Sequence, residues 1–186
     1  MHRNANLQDI STNSNYHHKQ FWFILYTYPR AEKVVYKELI KRDIESFLPC
    51  IKLVNVWKNR QKKLIEKVLF PGYIFVKTSE SLLYNIIRLP KIVTFVGCGN
   101  KPSIIKQIEI DCIKKMLNES LDITTESISV SNGNKVKIVS GPFAEYEGIV
   151  SLRKGKTLFG IELIGINQIV FVDITSNKLQ MINQNK

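Results

Sequence analysis

The 186-residue chain carries a net charge of +11 and 44% hydrophobic residues, enough to build one ordinary domain or two small ones with cores of their own. No run approaches the roughly 18 apolar residues of a membrane span, and the opening "MHRNANLQDISTNSNYHHKQ" lacks a signal-peptide core, so a cytoplasmic protein is expected. Cys50, Cys98 and Cys112 lie far apart without a CxxC pair, which argues against a zinc knuckle or a disulfide framework and for reduced, mostly buried thiols.

Residues 1–19 are rich in Asn, Ser, Gln and His without periodicity and read as a disordered tail. Phe21–Tyr28 is dense in β-favouring aromatic residues and closed by Pro29, which predicts a strand. In Arg30–Asp43, Ala31, Val34, Val35, Leu39 and Ile40 recur at helical spacing, so a helix follows. "SFLPCIKLVNVW" and "KVLFPGYIFVKT" predict two strands joined across the basic "KNRQKK". A short helix over Leu82–Arg88, a strand "IVTFVG" and a long helix near Lys106–Asn118 complete the order βαββαβα. That order implies α+β layering, with helices on one face of a mostly antiparallel sheet. Residues 20–118 hold eighteen basic against eight acidic side chains, a surplus that suits a polyanion such as nucleic acid.

Residues 119–131 are polar and acidic and predict a linker. Across 132–186, five short apolar segments separated by turn residues predict a small, closed or nearly closed β-barrel. Within it, Gly141 and Pro142 make a sharp turn, Phe143 and Tyr146 supply bulk beside it, and Gly148 permits an approach that a side chain would obstruct. No catalytic centre is expected. His2, His17 and His18 all lie in the tail, neither GxxxxGK[ST] nor HExxH occurs, and carboxylates such as Asp9, Glu66 and Glu80 are scattered among basic residues. No metal or other cofactor is implied.

Two surfaces stand out. Trp22, Ile24 and Tyr26 alternate with Phe21, Phe23 and Leu25, so both faces of the first strand are apolar, and "YIFV" behaves the same way. With helices on one side, the other face would stay open and mark a protein interface, unless the tail, the last helix or the barrel covers it. In "WKNRQKKLIEK", Lys58, Arg60, Lys62 and Lys63 crowd a hairpin tip beside Trp57. Such a tip can set cations on phosphates while the aromatic stacks on an unpaired base, the alternative being a solvated loop whose Trp packs on the sheet.

"VKIVSGPFAEYEGIV" resembles the KOW motif of SH3-like barrels, found in NusG-type transcription factors and several ribosomal proteins. "LFPGYIFV" (Leu69–Val76) resembles the Phe-Pro-Gly-Tyr signature of the NusG N-terminal domain, "FWFILY" its first strand, "IIRLPKIVTFVG" its Arg-x-x-Pro segment, and the helix after Pro102 its last helix. The resemblance spans about residues 20–175. It implies a ferredoxin-like α/β sandwich followed by an SH3-like barrel, in a monomeric elongation and antitermination factor. It further implies that Trp22, Phe70, Tyr73, Phe75 and Phe95 grip the clamp helices of RNA polymerase. The basic tip, extended by Arg88 and Lys91, would then lie near upstream or non-template DNA of the transcription bubble. The pattern Trp57, Arg60, Lys62, then Leu69-Phe70-x-Gly72-Tyr73 is similar to the UpxY-type antiterminators, specialised paralogues within the family. Ile164-Gly165-Ile166 stands where the housekeeping factor has a Phe-Gly-Arg loop for the ribosome and Rho. Action on particular operons, those for surface polysaccharides, is therefore expected, with the barrel free for another protein or RNA partner. The rival readings are the housekeeping NusG itself and a ribosome-associated, RNA-binding KOW protein. In RfaH relatives the barrel refolds as helices to hide the groove. Here Val139, Val150, Val170 and Val172 favour strands, so no such refolding is expected.

Overall fold

The computed structural model describes residues 19–56, 62–119, 123–128, 133–174 and 181–183. Its first half is built on β1 (Phe21–Thr27), whose two apolar faces make it a central strand. It pairs antiparallel with β5 (Tyr73–Thr78) on one side, and with β6 (Ile92–Phe95) and β9 (Ile104–Ile105) on the other. The short β2 (Ser46–Phe47) adds to the far edge of β5, giving the order β2-β5-β1-β6.

Helix α1 (Glu32–Lys41) follows the turn at Pro29, and α2 (Glu80–Ile86) is capped by Ser79, whose Oγ accepts from the Leu82 N–H. In α3 (Gln107–Asn118) the Glu109 carboxylate accepts from the Lys106 N–H at 2.9 Å. Helices α1 and α2 bury Val35, Leu39, Leu83 and Ile86 with Phe23, Leu25, Ile74 and Val76 on one face of the sheet. Helix α3 buries Ile110, Ile113 and Met116 with Trp22, Ile24 and Phe75 on the other. Helices therefore cover both faces, and the expectation that they sit on one side is corrected. The second apolar face of β1, expected to stay open unless the tail, the last helix or the barrel covered it, is covered by α3 and by side chains of the strand-rich second half.

The two long strand segments also divide. Pro49, which has no N–H to give a ladder, ends β2, and the chain leaves the sheet as β3 (Cys50–Val56). The partner β4 (Lys62–Val68) returns along it, and Phe70-Pro71-Gly72 turns the chain back into β5. The result is a separate two-stranded arm. Before α3 come two more short strands, β7 (Gly97–Cys98) and β8 (Lys101–Pro102), paired with each other.

The second half is a six-stranded antiparallel sheet in the order β10-β14-β13-β12-β11-β15. Its strands are β10 (Ile123–Ser127), β11 (Asn134–Ile138), β12 (Glu147–Arg153), β13 (Lys156–Leu163), β14 (Gln168–Asp173) and β15 (Met181–Asn183). The five expected strands are present. The expected linker is not simply a linker: Ile123–Ser127 pairs residue for residue with β14. Alternating Ile123, Thr125 and Ser127 with Thr124 and Glu126 supplies enough β-forming character for an edge strand.

The second core runs through both halves, because Val136, Ile138, Phe143, Phe159 and Ile161 of the strand-rich half join the α3 and β1 side chains. Each large apolar side chain buried there contributes about 1.5–3 kcal/mol. Among the described residues, no helix is long and apolar enough to cross a membrane.

Candidate interaction surfaces

The aromatic residues expected on an open face divide into three situations. Trp22 and Phe75 share one face of the sheet, since Trp22, Ile24 and Tyr26 stand opposite Lys77, Phe75 and Tyr73 in register. Phe70 meets Phe75 edge to face at 5.9 Å. All three are buried, not open: Trp22 and Phe70 keep 2% exposure each and Phe75 none. The Trp22 indole N–H donates to Gln107 Oε1 at 2.7 Å, and Lys114 Nζ lies 5.3 Å from its ring, so α3 covers it.

Tyr73 is half-buried at the end of the same face, its ring 5.5 Å from that of Tyr26, which is 39% exposed. These two rings form the solvent-facing part of the aromatic row. Phe95 belongs to the opposite face, packed with the α1 and α2 core and edge to face with Tyr84 at 5.7 Å. Pairing with Leu25 puts it there, because residues opposite one another in a ladder share a face.

Tyr26 was legible as the third member of the Trp22, Ile24 alternation. Glu32 had no sequence signal of comparable strength. Its carboxylate is buried and accepts from the Gly72 N–H at 2.7 Å, while the Gly72 carbonyl accepts from the Thr27 N–H at 2.8 Å. The Phe-Pro-Gly-Tyr turn is thereby tied to both α1 and β1, which fixes where Tyr73 starts β5.

Of the basic tip, Trp57, Lys58 and Arg60 lie outside the described residues. Lys62 and Lys63 are exposed on β4, opposite Val56 and Asn55. The arm is anchored at its base by Lys33 of α1, whose Nζ donates to the Glu66 carboxylate at 2.8 Å. That hydrogen bond raises the Lys33 ammonium above its ordinary pKa and lowers the Glu66 carboxyl. Both groups are well solvated, so the pair is worth little in stability. Arg88 and Lys91 are exposed in the turn after α2, and the Lys91 carbonyl accepts from the Tyr28 N–H at 3.1 Å. Lys91 thus sits at the end of β1 where the Phe-Pro-Gly-Tyr turn also lies.

In the second half, Gly141 adopts φ +88°, and Phe143 is fully buried against Phe159 at 5.8 Å, with Tyr146 partly buried at 6.5 Å. A Cβ on Gly148 would fall 2.3 Å from the Gly160 carbonyl oxygen and 2.7 Å from the Phe159 ring. The loop is therefore held by its own aromatic residues, with Pro142 half-buried at the turn and only modest aromatic surface left outside. The 3-10 turn Ile164–Ile166 rests on the first half: a Cβ on Gly165 would lie 3.0 Å from Ile24 Cδ1. Ile164 beside it is 82% exposed.

The family model for NusG, described as transcription termination factor nusG, matches residues 20–114. The chain is similar to the transcription termination/antitermination protein NusG of Helicobacter pylori strain J99, 28% identical over 140 residues, covering 69% of this chain and 79% of that one. It is 29% identical over 167 residues to the protein of the same name from Streptococcus pyogenes serotype M3, covering 82% and 92%. Among solved structures, one described as domain interaction in Thermotoga maritima NusG superposes with a TM-score of 0.47 at 21% identity, over 89% of this chain and 98% of that one.

Proposed function

Because the chain belongs to the NusG family of transcription termination and antitermination factors, we propose that it binds RNA polymerase through the β1–β5 face and holds the enzyme in its elongating state. The observation that carries this is the match of the family model over residues 20–114, which contain the whole aromatic row. By binding the closed state of polymerase more tightly than the open one, such a factor shifts the population without any chemistry.

Tyr26 and Tyr73 make the first contact, since they retain exposure on that face. Trp22 and Phe75 shape the face from beneath and contact the polymerase little. Phe95 stands on the far side and takes no part. With the Ile164–Ile166 turn resting on Ile24, fuller access to Ile24 and Phe70 requires the strand-rich half to move aside. The strand order β2-β5-β1-β6 supports the ferredoxin-like reading of the first half, and the β11-β12-β13-β14 meander, with β15 returning to pair with β11, supports an SH3-like KOW module. The arm bearing Lys62 and Lys63, with Arg88 and Lys91, meets DNA of the transcription bubble.

A second reading concerns the target. Ile164-Gly165-Ile166 replaces a Phe-Gly-Arg loop and is engaged with Ile24, which favours an operon-specific paralogue over a housekeeping factor that must offer this loop to the ribosome or Rho. Transcript profiling after deletion separates the two: a paralogue alters one or a few operons, a housekeeping factor alters transcription throughout.

The polymerase contact is tested by calorimetric titration of the full chain against a clamp-helix fragment at low and high salt, with Tyr26→Ala and Tyr73→Ala in parallel. Binding that survives high salt and weakens in both variants supports the aromatic contact. Binding abolished by salt alone, or absent throughout, moves the RNA-binding KOW reading to first place.

A further inference from the structure

A cleft of about 1190 Å³ opens between the two halves of the molecule, bordered by neither Tyr26 nor Tyr73. We propose that it is a strand-addition site, which takes an extended segment of a partner protein with apolar and acidic side chains in alternation. The proposal does not rest on the polymerase reading.

The lining includes Cys50, Ile51, Lys52 and Leu53, four successive residues of β3. Successive side chains of a strand point to opposite faces, so a cavity that meets four in a row meets the edge of the strand. Across the cleft stand Ile123, Thr124 and Glu126 of β10. Among the described residues β3 pairs with β4 alone and β10 with β14 alone. Each strand therefore turns one row of backbone N–H and C=O groups outward, and both border the same space. Unpaired edges of this kind are templates for another strand.

The size and chemistry favour a polypeptide. The cleft exceeds the roughly 300–1,000 Å³ of small-molecule sites. Its apolar lining, from Leu48, Ile51, Leu53, Leu117, Ile123 and Leu158, suits alternate side chains of an added strand. Of its cations, Arg153 is paired with Glu126, and Lys156 with Asp173 at 2.9 Å. A phosphate chain needs many cations at once, and here the carboxylates of the cleft answer two of them. Lys52 and Lys154 line the cleft, are exposed and take part in no salt bridge among the described residues; Glu66, opposite Lys52 in the β3–β4 ladder, is already bound to Lys33, so the two lysines select carboxylates on the incoming strand. A second copy of this basic chain would meet like charge at the same place.

The test is selection of a phage-displayed random peptide library on the immobilised full chain, followed by hydrogen exchange with a synthetic copy of the enriched peptide. The expected peptide alternates apolar and acidic residues, protects amides within Cys50–Leu53 and Ile123–Glu126, and binds about tenfold more weakly to a Lys52→Glu, Lys154→Glu double variant. Both lysines are exposed, so the variant keeps its fold, as circular dichroism would verify. Three results would overturn the proposal: no enrichment over a blank selection, enriched peptides that ignore the double variant and protect neither strand, or concentration-dependent self-association that protects those strands in place of a peptide. Binding of oligouridylate that the double variant abolishes, without peptide binding, would reassign the cleft to RNA.

Discussion

Gly165 meets Ile24 with bare backbone: a Cβ on the glycine would lie 3.0 Å from the isoleucine Cδ1 and 3.3 Å from Ser103 Cβ. The strand-rich half thus sits on the central strand of the other sheet at a tight point, where a side chain would push the Ile24 methyl and Ser103 back by a few tenths of an ångström. Overpacking of this kind costs about 1–3 kcal/mol, and the contact can escape it by separating. Because the two halves share one apolar core, Gly165→Leu is expected to weaken their docking and raise the share of opened molecules, not to separate them outright. Small-angle scattering should report a larger radius of gyration, and the clamp-fragment titration a tighter association. An unchanged radius would mean that the contact absorbs the side chain.

The division of the aromatic row between buried and exposed members separates stability from binding. Trp22→Ala removes a buried indole and leaves Gln107 without its donor, and should lower unfolding free energy by about 3–5 kcal/mol. Tyr26→Ala and Tyr73→Ala remove partly solvated rings and should cost about 1 kcal/mol or less, the worth of an aromatic pair. Urea unfolding of the three variants checks the ordering. If Tyr73→Ala proved as destabilising as Trp22→Ala, the tyrosine would be a core residue and its role in binding would fall.

Much of this was written in the alternation of side chains, and what was not depended on distant partners. The apolar run Phe21–Leu25 announced a central strand, yet which elements would cover its second face depended on α3 folding back across Trp22, a contact 85 residues apart in sequence. Phe95 could not be assigned a face from its own neighbours, because its side was set by pairing with Leu25. The Gly141 turn and the tight spot at Gly148 were legible, since each rests on one local backbone requirement. The strand at Ile123–Ser127 was hidden by its polar composition, as an edge strand draws its stability from β14 and not from a buried face of its own.

Cys112 gives the molecule an alkaline limit. Burial on α3 pushes its thiol from 9.0 up to about 12. Between these values the unfolded chain releases a proton that the folded chain retains. Stability from this group is therefore fully present below pH 9 and falls as pH rises toward 12. The loss should approach about 1.4 kcal/mol per pH unit within that window, and Cys112→Ala should flatten it. Urea midpoints measured below pH 9 and again midway to 12 check this. In the native state an alkylating reagent should modify the exposed Cys98 and spare Cys112, whose thiol stays protonated and out of reach.

Lys62 and Lys63 carry the part of the proposed DNA contact that lies on described residues. Both are exposed near the outer end of the β3–β4 arm, where a duplex or a displaced strand could approach without disturbing either core. Contacts with phosphate act through released counterions, so each lysine engaged adds about 0.7–0.9 to the slope of log affinity against log salt. Lys62→Ala with Lys63→Ala should therefore weaken binding to a bubble-containing duplex and shallow that slope by about 1.4–1.8. Affinity for the clamp-helix fragment should stay within about twofold, since neither lysine lies on the Tyr26–Tyr73 face. Fluorescence anisotropy across a salt series measures the first effect and calorimetry the second. An unchanged salt slope would remove the arm from the DNA contact and leave Arg88 and Lys91 to carry it.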